Sequence, residues 1–380
     1  MRFDWRAGVL ALGVLLAGCG RAAGEAARLP AVVSSATAAP TAVSPAPPAT
    51  GGPVATPEPA AADPLPIPTA AATPEATATP APSPTADPYT ALTIDALAAR
   101  PYGGGLIEIV DTLEQNERFA RYLIKYPSDG LDIYGYMAVP NEGSRFPVAL
   151  VLHGYIDPAE YEVVAYTRRY ADALAEAGYF VIHPNFRNYP PSDSGPDPFR
   201  TGYAIDVLNL IAIIREQSED PMGALRRADA DDINLWGHSM GGGVALRVLA
   251  ANPAPYLRAA VLYGSMSGDE ALNYGRIREW TNGRGGGFEL DAPDAALEAI
   301  SPINYLDRIA AAVAVHHSEA DDMVPVAWSQ QLCAALEALY ASGEAPYAPE
   351  CFFYEGQPHT FRGDGDARFI ERTIEFFNRH

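Results

Sequence analysis

The alternation of hydrophobic and polar positions along the chain distinguishes two kinds of predicted strand. Residues 118–126 and 131–139 alternate between the two classes, and the residues between them read Pro-Ser-Asp-Gly. Such alternation is typical of a strand with one buried face, and the turn signal predicts that the two strands form a hairpin. Residues 146–152 are apolar throughout, which is typical of a central parallel strand buried on both faces.

From residue 146 to the C-terminus, strand-like runs alternate with helix-like segments. Further strands are predicted at residues 179–183, 233–236, 259–263, 312–317 and 351–354, and helices at 93–100, 160–177, 203–217, 244–249, 326–342 and 367–380. Residues 265–309 form an irregular excursion that we leave unassigned. Two antiparallel strands followed by this alternation predict an α/β fold, with a mostly parallel central sheet and helices on both faces.

The N-terminal residues 1–18 have the pattern of a secretion signal. Two basic residues, Arg2 and Arg6, precede an apolar stretch that is too short for an ordinary transmembrane helix. The sequence Leu-Ala-Gly-Cys that ends at Cys19 resembles the bacterial lipobox, and this resemblance implies cleavage before Cys19 and lipidation of its thiol. An uncleaved anchor or a simple signal peptide are the alternatives.

Composition and charge separate the next segment from the remainder of the chain. Residues 19–88 are rich in Ala, Pro, Thr and Ser and contain no aromatic residue, which predicts a disordered tether. Residues 89–380 are long enough for a single catalytic domain with one large core. The formal net charge of −21 argues against nucleic acid and against an anionic membrane as partners. Membrane attachment is therefore expected only through the lipid, and the oligomeric state is left open.

The candidate chemistry centres on the sequence Gly-His-Ser-Met-Gly at residues 237–241. A strand-like run precedes it and a helical segment follows it, and in this context Gly-x-Ser-x-Gly forms a nucleophile elbow. We expect Gly237 and Gly241 to be required because a Cβ atom at either position would collide with a neighbouring element. Ser239 is the predicted nucleophile. The alternative interpretation is a glycine-rich turn with an ordinary serine.

A serine nucleophile needs a base to take its proton and an acid to orient that base. In this architecture the chain order is nucleophile, acid, base, each in a loop after a strand. His359 follows the last predicted strand and is the candidate base. The other downstream histidines are expected to pack or bond locally (His316 and His317) or to end the chain (His380).

The acid is expected in the loop that follows the preceding strand. That loop contains two adjacent carboxylates, Asp321 and Asp322, and adjacent residues cannot both point at one imidazole. We select Asp321 as the acid over the alternative, Asp322, which then serves as a cap or a solvated loop charge.

The oxyanion hole needs two donors. The backbone amide of Met240 is one candidate, because it immediately follows the nucleophile, and the amide of Tyr155, in the loop after the strand at 146–152, is the other. His153 is interpreted as holding that loop. Asn185 and Arg187 have two open interpretations, contact with substrate or shaping of the loop in which they lie. Neither a metal nor an organic cofactor is expected.

Several segments together resemble the catalytic domain of the prolyl oligopeptidase (S9) family and its dienelactone-hydrolase-like relatives, within the α/β-hydrolase superfamily. They lie at residues 126–130, 152–155, 185–187, 237–242, 319–325 and 356–361. The resemblance implies an α/β-hydrolase fold with Ser239 as nucleophile, Asp321 as acid and His359 as base. His238 and Met240 beside the serine are closer to lipases, cutinases and polyester hydrolases.

The resemblance leaves the substrate open between a carboxylic ester and a short peptide. S9 peptidases carry a β-propeller where this chain has its tether, so we favour an extracytoplasmic serine hydrolase that cleaves an ester through an acyl-enzyme. An S9-like peptidase is the alternative, and an inactive binding module on a stalk is a weaker one.

The two cysteines after Cys19 are Cys333 and Cys351, on the last long helix and on the strand that follows it. In an oxidising compartment we expect them to form a disulfide. The alternative is a pair of buried thiols.

Overall fold

The computed structural model describes residues 87–380. The predicted signal segment, Cys19 and the tether as far as residue 86 lie outside the described residues. The expectations for these segments therefore stay predictions. Within the described part of the chain, every helix is too short or too polar to cross a membrane.

The described residues form a nine-stranded sheet in the order β1-β2-β3-β5-β4-β6-β7-β8-β9. Strands β1, β2, β3 and β5 pair antiparallel in that order, and β5, β4 and β6–β9 pair in parallel. This is the mostly parallel sheet that the sequence predicted. The strands are β1 Glu108–Gln115, β2 Phe119–Ser128, β3 Leu131–Pro140, β4 Phe146–Leu152, β5 Phe180–Pro184, β6 Ala228–His238, β7 Leu257–Tyr263, β8 Ala312–Ser318 and β9 Glu350–Tyr354.

Helices cover both faces of the sheet. They are α1 Ile94–Ala99, α2 Arg168–Glu176, α3 Thr201–Gln217, α4 Met240–Ala251, α5 Glu270–Trp280, α6 Gly287–Leu290, α7 Asp294–Ile300, α8 Val326–Ser342 and α9 Gly363–Arg379. Successive residues of the apolar strand β4 enter two different cores. Val148 and Leu150 pack in the core that includes residues of α3, α4 and α8, whereas Ala149 and Val151 pack with residues of α2 and α9. The continuous apolar run of β4 is therefore explained by burial on both faces.

The predicted hairpin is present between β2 and β3. Asp129 and Gly130 connect the strands with φ angles of 52° and 81°. Two central residues with positive φ are characteristic of the type I′ turn, whose twist matches that of the flanking strands. The Asp-Gly signal in the sequence thus determined both the turn and the register of the hairpin.

Two predictions of secondary structure were wrong. Strand β1, Glu108–Gln115, was missed because it is an almost fully exposed edge strand with register shifts, so its sequence has no clean alternation. The helix predicted at 160–177 is reduced to Arg168–Glu176. Upstream of it the chain turns, and the buried Tyr161 hydroxyl donates to Asn185 Oδ1 at 3.0 Å. This tertiary contact competes with helix formation and has no local signal.

The excursion between β7 and β8 is a helical insertion. It contains α5, α6, α7 and a 3₁₀ segment, Pro302–Arg308. The Glu270 carboxylate at the start of α5 is buried between the guanidinium groups of Arg200 and Arg247, with a distance of 2.5 Å to Arg247. Buried charges of opposite sign must be paired in this way to offset their desolvation. The three side chains fasten the insertion to the loop after β5 and to α4.

A disulfide joins α8 to β9. The sulfur atoms of Cys333 and Cys351 are bonded, and the two residues are 18 positions apart in sequence. Closing a loop of this size stabilises the folded state by roughly 3 kcal/mol in the chain-entropy description. The bond also anchors the strand whose following loop carries His359.

Candidate active site

The serine at position 239 lies in a sharp turn between a strand and a helix. Strand β6 ends at His238 and helix α4 begins at Met240, and between them Ser239 has φ 55° and ψ −116°. An L-residue with positive φ outside the left-handed helical region is strained, and such strain persists only where the surroundings enforce it. This is the backbone geometry of a nucleophile elbow, which projects the serine side chain from the sheet edge.

The two glycines of the elbow are required by close backbone approach. A Cβ atom on Gly237 would lie 2.4 Å from the carbonyl oxygen of Gly241, and one on Gly241 would lie 2.2 Å from the carbonyl oxygen of Leu152. Both distances are far inside van der Waals contact, and backbone atoms cannot swing away. The elbow therefore excludes any side chain at these positions.

Asp321 and His359 meet at the same edge of the sheet. Asp321 follows β8 and His359 follows β9, and His359 Nδ1 lies 2.6 Å from Asp321 Oδ2. The Asp321 side chain is fully buried, while that of His359 is 14% exposed. Asp322 is exposed. The structure thus brings the first of the two adjacent carboxylates to the imidazole.

The Asp321 carboxylate is held on both oxygens. Oδ1 accepts the amide protons of Met323 and Val324, each at 2.9 Å. Oδ2 accepts from His359 and also lies 3.1 Å from Nε2 of His317. Burial alone would raise the pKa of Asp321, but these hydrogen bonds, led by those from His317 and His359, lower it overall. The carboxylate is therefore ionised and fixed in direction.

Two residues around the acid were not identified from the sequence. His317 was expected only to pack or bond locally, and the structure places its Nε2 atom 3.1 Å from Asp321 Oδ2. Arg276 of α5 donates from Nε to the Met323 carbonyl at 3.2 Å and from Nη2 to the Asp322 carbonyl at 2.9 Å. These carbonyls belong to the same peptide units whose N–H groups bind Asp321 Oδ1. A histidine four positions before the acid was a usable signal, whereas the insertion gave none for Arg276.

His238 packs against the candidate base. Its ring centroid lies 4.6 Å from that of His359, and its Nδ1 is 2.5 Å from the Tyr166 hydroxyl. Burial, and then the proximity of His359, hold the pKa of His238 well below its usual range. His238, which precedes Ser239 in sequence, is therefore a neutral ring that packs against His359 and fixes its position.

The candidate oxyanion donors are the amides of Met240 and Tyr155. Met240 is the first residue of α4, so its amide has no partner within the helix and sits at the positive end of the helix dipole. A Cβ atom on Gly154 would be 3.1 Å from Ser239 Cβ, which places the Gly154–Tyr155 peptide beside the nucleophile. The Tyr155 side chain is 68% exposed. Both predicted amides are thus located next to Ser239.

The remaining polar residues near these loops have structural partners. His153 is buried, with Nδ1 2.7 Å from the Gly154 oxygen and Nε2 2.9 Å from the Asn185 oxygen, so it joins the loops after β4 and β5. Asn185 is buried and bonds to Tyr161 and Pro190. Arg187 is buried in an ion pair with Asp206 at 2.8 Å. These contacts favour loop shaping over substrate contact for Asn185 and Arg187.

Two family models match the sequence. The model described as alpha/beta hydrolase fold matches residues 147–287, and the model of the prolyl oligopeptidase family matches residues 220–380. The first includes the elbow, and the second includes the elbow, Asp321 and His359. The protein is a hydrolase with the α/β-hydrolase fold. No curated protein sequence matches the chain.

Solved structures with this fold include peptidases and esterases. A puromycin-hydrolyzing peptidase of Mycobacterium tuberculosis is 20% identical with a TM-score of 0.52, and the match covers 70% of this chain and 40% of that one. Acetyl xylan esterase 1 of Thermoanaerobacterium sp. JW/SL YS485 is 17% identical with a TM-score of 0.51, covering 73% and 88%. The acylaminoacyl peptidase of Pyrococcus horikoshii is 18% identical with a TM-score of 0.53, covering 74% and 51%. The chain therefore spans about half the length of those peptidases or less.

The arrangement has the parts that acyl transfer requires: a strained serine, an imidazole on a buried carboxylate, and backbone amides next to the serine. Among residues 87–380 there is no group of three or more His, Cys, Asp or Glu side chains arranged to hold a metal ion.

Proposed function

We propose that this hydrolase cleaves a carboxylic ester through an acyl-enzyme, with Ser239 as nucleophile, His359 as base and Asp321 as orienting acid. The observation that carries the proposal is the 2.6 Å hydrogen bond from His359 Nδ1 to the buried Asp321 carboxylate. This bond leaves the proton on Nδ1 and keeps Nε2 free to act as the base.

In the first half-reaction, His359 takes the proton of the Ser239 hydroxyl while Oγ bonds to the substrate carbonyl carbon. The amides of Met240 and Tyr155 hold the resulting oxyanion. The intermediate then expels the alkoxide, which leaves as an alcohol with the proton from His359, and the acyl group stays on Ser239. In the second half-reaction, His359 activates a water molecule that releases the acyl group as a carboxylic acid.

Two observations support an ester over a peptide. The match to acetyl xylan esterase 1 covers 88% of that chain, whereas the match to the puromycin-hydrolyzing peptidase covers 40% of that chain. His238 and Met240 flank the serine as in lipases and polyester hydrolases, in line with the sequence-based expectation. The match to the prolyl oligopeptidase family favours the second candidate, a serine peptidase that acts on short peptides.

A substrate profile separates the two candidates. We expect p-nitrophenyl esters of graded acyl length to be cleaved with a higher kcat/KM than aminoacyl and dipeptidyl anilides, and a fluorophosphonate probe to label wild-type protein but not Ser239→Ala. A higher kcat/KM on the anilides would assign the peptidase function. Absence of labelling on the folded wild-type protein would instead indicate the inactive binding module.

We further propose that the enzyme is held outside the cytoplasm by a lipid on Cys19. The lipobox-like sequence and the short apolar stretch before it support this location. When the full chain is expressed in a bacterium that processes lipoproteins, we expect it to incorporate labelled palmitate and to sediment with membranes. Cys19→Ser should abolish the incorporation, and unchanged labelling of that variant would contradict the proposal.

A further inference from the structure

His317 is the last but one residue of β8. Its imidazole lies next to the same oxygen of Asp321 that the candidate base, His359, contacts. His317 Nε2 lies 3.1 Å from Asp321 Oδ2, the oxygen to which His359 Nδ1 is bonded at 2.6 Å. The side chains of His317 and Asp321 are both fully buried. Two imidazoles therefore converge on one carboxylate oxygen, one partly exposed and one fully buried.

The surroundings of His317 decide which nitrogen carries the proton. Nε2 faces two acceptors, since the Val324 carbonyl oxygen lies 3.0 Å away in addition to Asp321. A nitrogen between two oxygen acceptors must carry hydrogen. Nδ1 lies 2.7 Å from the Ser329 hydroxyl of α8, which can donate to it. The ring is therefore a satisfied donor that is locked between α8 and the acid.

We propose that His317 is a positioning residue for the catalytic acid: its Nε2–H fixes the direction of the Asp321 carboxylate and keeps that carboxylate ionised while His359 cycles between its protonation states. The proposal rests on the proposed function, because it assigns His317 a role only if Asp321 serves His359.

The physical reason is the burial of the acid. A buried carboxylate needs a hydrogen bond on each lone pair to remain charged and to remain in one orientation. His359 supplies one donor to Oδ2 through its Nδ1–H, but its ring is partly exposed, whereas the ring of His317 is fully buried beside the same oxygen. The backbone amides serve Oδ1, and the Nε2–H of His317, which is shared with the Val324 carbonyl oxygen, is the second donor on Oδ2 beside His359.

The other ionisable groups that face the acid come from several elements. His238 and Tyr166 approach from the elbow and from the loop after β4, and both interact electrostatically with Asp321. Arg276 of α5 donates to the Asp322 and Met323 carbonyl groups of the acid loop, residues 319–325, and not to the Asp321 side chain. None of these side chains is placed in hydrogen-bond contact with Asp321, so removal of His317 is the specific perturbation.

The test compares His317→Gln with His317→Asn in the full-length protein. The Gln amide reaches the place of Nε2 and keeps a donor on Asp321, whereas the shorter Asn amide reaches only the place of Nδ1. We expect His317→Gln to keep kcat/KM within about threefold and His317→Asn to lose on the order of tenfold, the worth of one hydrogen bond to a charged group. KM should change little in both variants.

The pH profile separates positioning from simple packing. Without the Nε2–H donor, Asp321 becomes more basic and stabilises the imidazolium form of His359, so the acid limb of kcat/KM should move to higher pH by several tenths of a unit in His317→Asn. His316 offers a matched control on the same strand. It is equally buried and bonds to the Tyr354 hydroxyl, away from the acid. His316→Asn should lower the melting temperature without moving the acid limb.

Two outcomes would overturn the inference. One is an acid limb that stays at the wild-type position in His317→Asn, and the other is an equal shift in His316→Asn. The proposed function is tested separately by fluorophosphonate labelling of Ser239 in the same preparations. Absence of labelling in the wild-type protein would contradict the proposed function. Intact labelling together with an unmoved acid limb would contradict only the role of His317.

Discussion

The loop that carries the candidate acid, Asp321, and the loop that carries the second candidate oxyanion donor, Tyr155, differ in how far these two residues are buried. The functional group of the acid loop, the Asp321 side chain, is fully buried and accepts hydrogen bonds on both oxygens. In the loop after β4, by contrast, the Tyr155 side chain is 68% exposed.

This difference indicates that the residues proposed for the chemical step are held by the fold, whereas the residue proposed to contact the substrate is exposed. In the proposed reaction Ser239, His359 and Asp321 must keep one geometry through the whole cycle, so we expect their support to be built into the fold. Tyr155 is exposed and lies in a loop beside Ser239, so we expect a bound substrate to contact its ring. We therefore expect changes in the acid loop to act on kcat and changes at Tyr155 to act on KM.

The largest effect is expected from the acid itself. Asp321→Asn should lower kcat by about 10⁴, as loss of the orienting carboxylate does in the serine-protease template. If the NH2 group of the Asn takes the place of Oδ2, it would also face the N–H groups of His359 and His317, so donor would meet donor. Steady-state kinetics with a p-nitrophenyl ester measure this loss.

Asp322→Asn is the matched control, because Asp322 is exposed and offers Arg276 only its backbone carbonyl. It should keep most of the activity. If the two variants ranked in the opposite order, the assignment of the acid would be wrong.

A smaller effect is expected from Arg276, which supports the acid loop from the insertion. Arg276→Met removes the donors to the Asp322 and Met323 carbonyls, and so weakens the polarisation of the two N–H groups that bind Asp321 Oδ1. We expect kcat to fall on the order of tenfold, since this support acts through hydrogen bonds to a charged group.

Glu279→Gln provides the control for Arg276. It removes the charge of the side chain that Arg276 Nη1 contacts at 3.0 Å, but leaves the donors to the Asp322 and Met323 carbonyls in place. Its kcat should match wild type. Equal kcat values for Arg276→Met and wild type would mean that the acid loop is held without the insertion.

The smallest effect on turnover is expected from Tyr155→Phe. This substitution keeps the amide and the ring but removes the hydroxyl. If only the amide stabilises the oxyanion, kcat should change little, and a change in KM would report on packing of the ring against substrate. A fall in kcat of roughly 10²–10³ would instead make the hydroxyl an oxyanion donor. That outcome would also shift the preferred substrate towards peptides.

The pKa of Asp321 adds a dependence of stability on pH. The pKa of Asp321 is lower in the folded state than in the unfolded chain. Such a carboxyl group stabilises the fold at pH values above its pKa in the unfolded chain, and this stabilisation is lost as the pH falls towards its pKa in the folded state. The free energy difference between wild type and Asp321→Asn, measured by urea unfolding, should therefore shrink between about pH 5 and pH 3. A difference that stays constant over this range would contradict the lowered pKa.

The amino-acid sequence by itself determined the α/β alternation, the hairpin at Asp129–Gly130 and the elbow at Ser239. These features depend on local chemistry: a repeat of apolar positions, a turn that needs positive φ, and glycines where no Cβ atom fits. The order of chemical groups along the chain also indicated His359 and a choice between Asp321 and Asp322. Periodicity could not resolve β1 or the inward turn at Tyr161, because exposure at a sheet edge and a single buried contact leave no repeat.

Only the tertiary structure decided which carboxylate meets the imidazole, and which side chains hold it there. Asp321 and Asp322 are chemically identical neighbours, and the turn after β8 sends one inward and the other into solvent. His316 and His317 are likewise neighbours, but alternation along β8 directs only His317 to Asp321. Arg276 reaches the acid loop from an insertion whose sequence has no pattern that places it. Direction and contact between distant segments arise from packing, which the order of residues does not display.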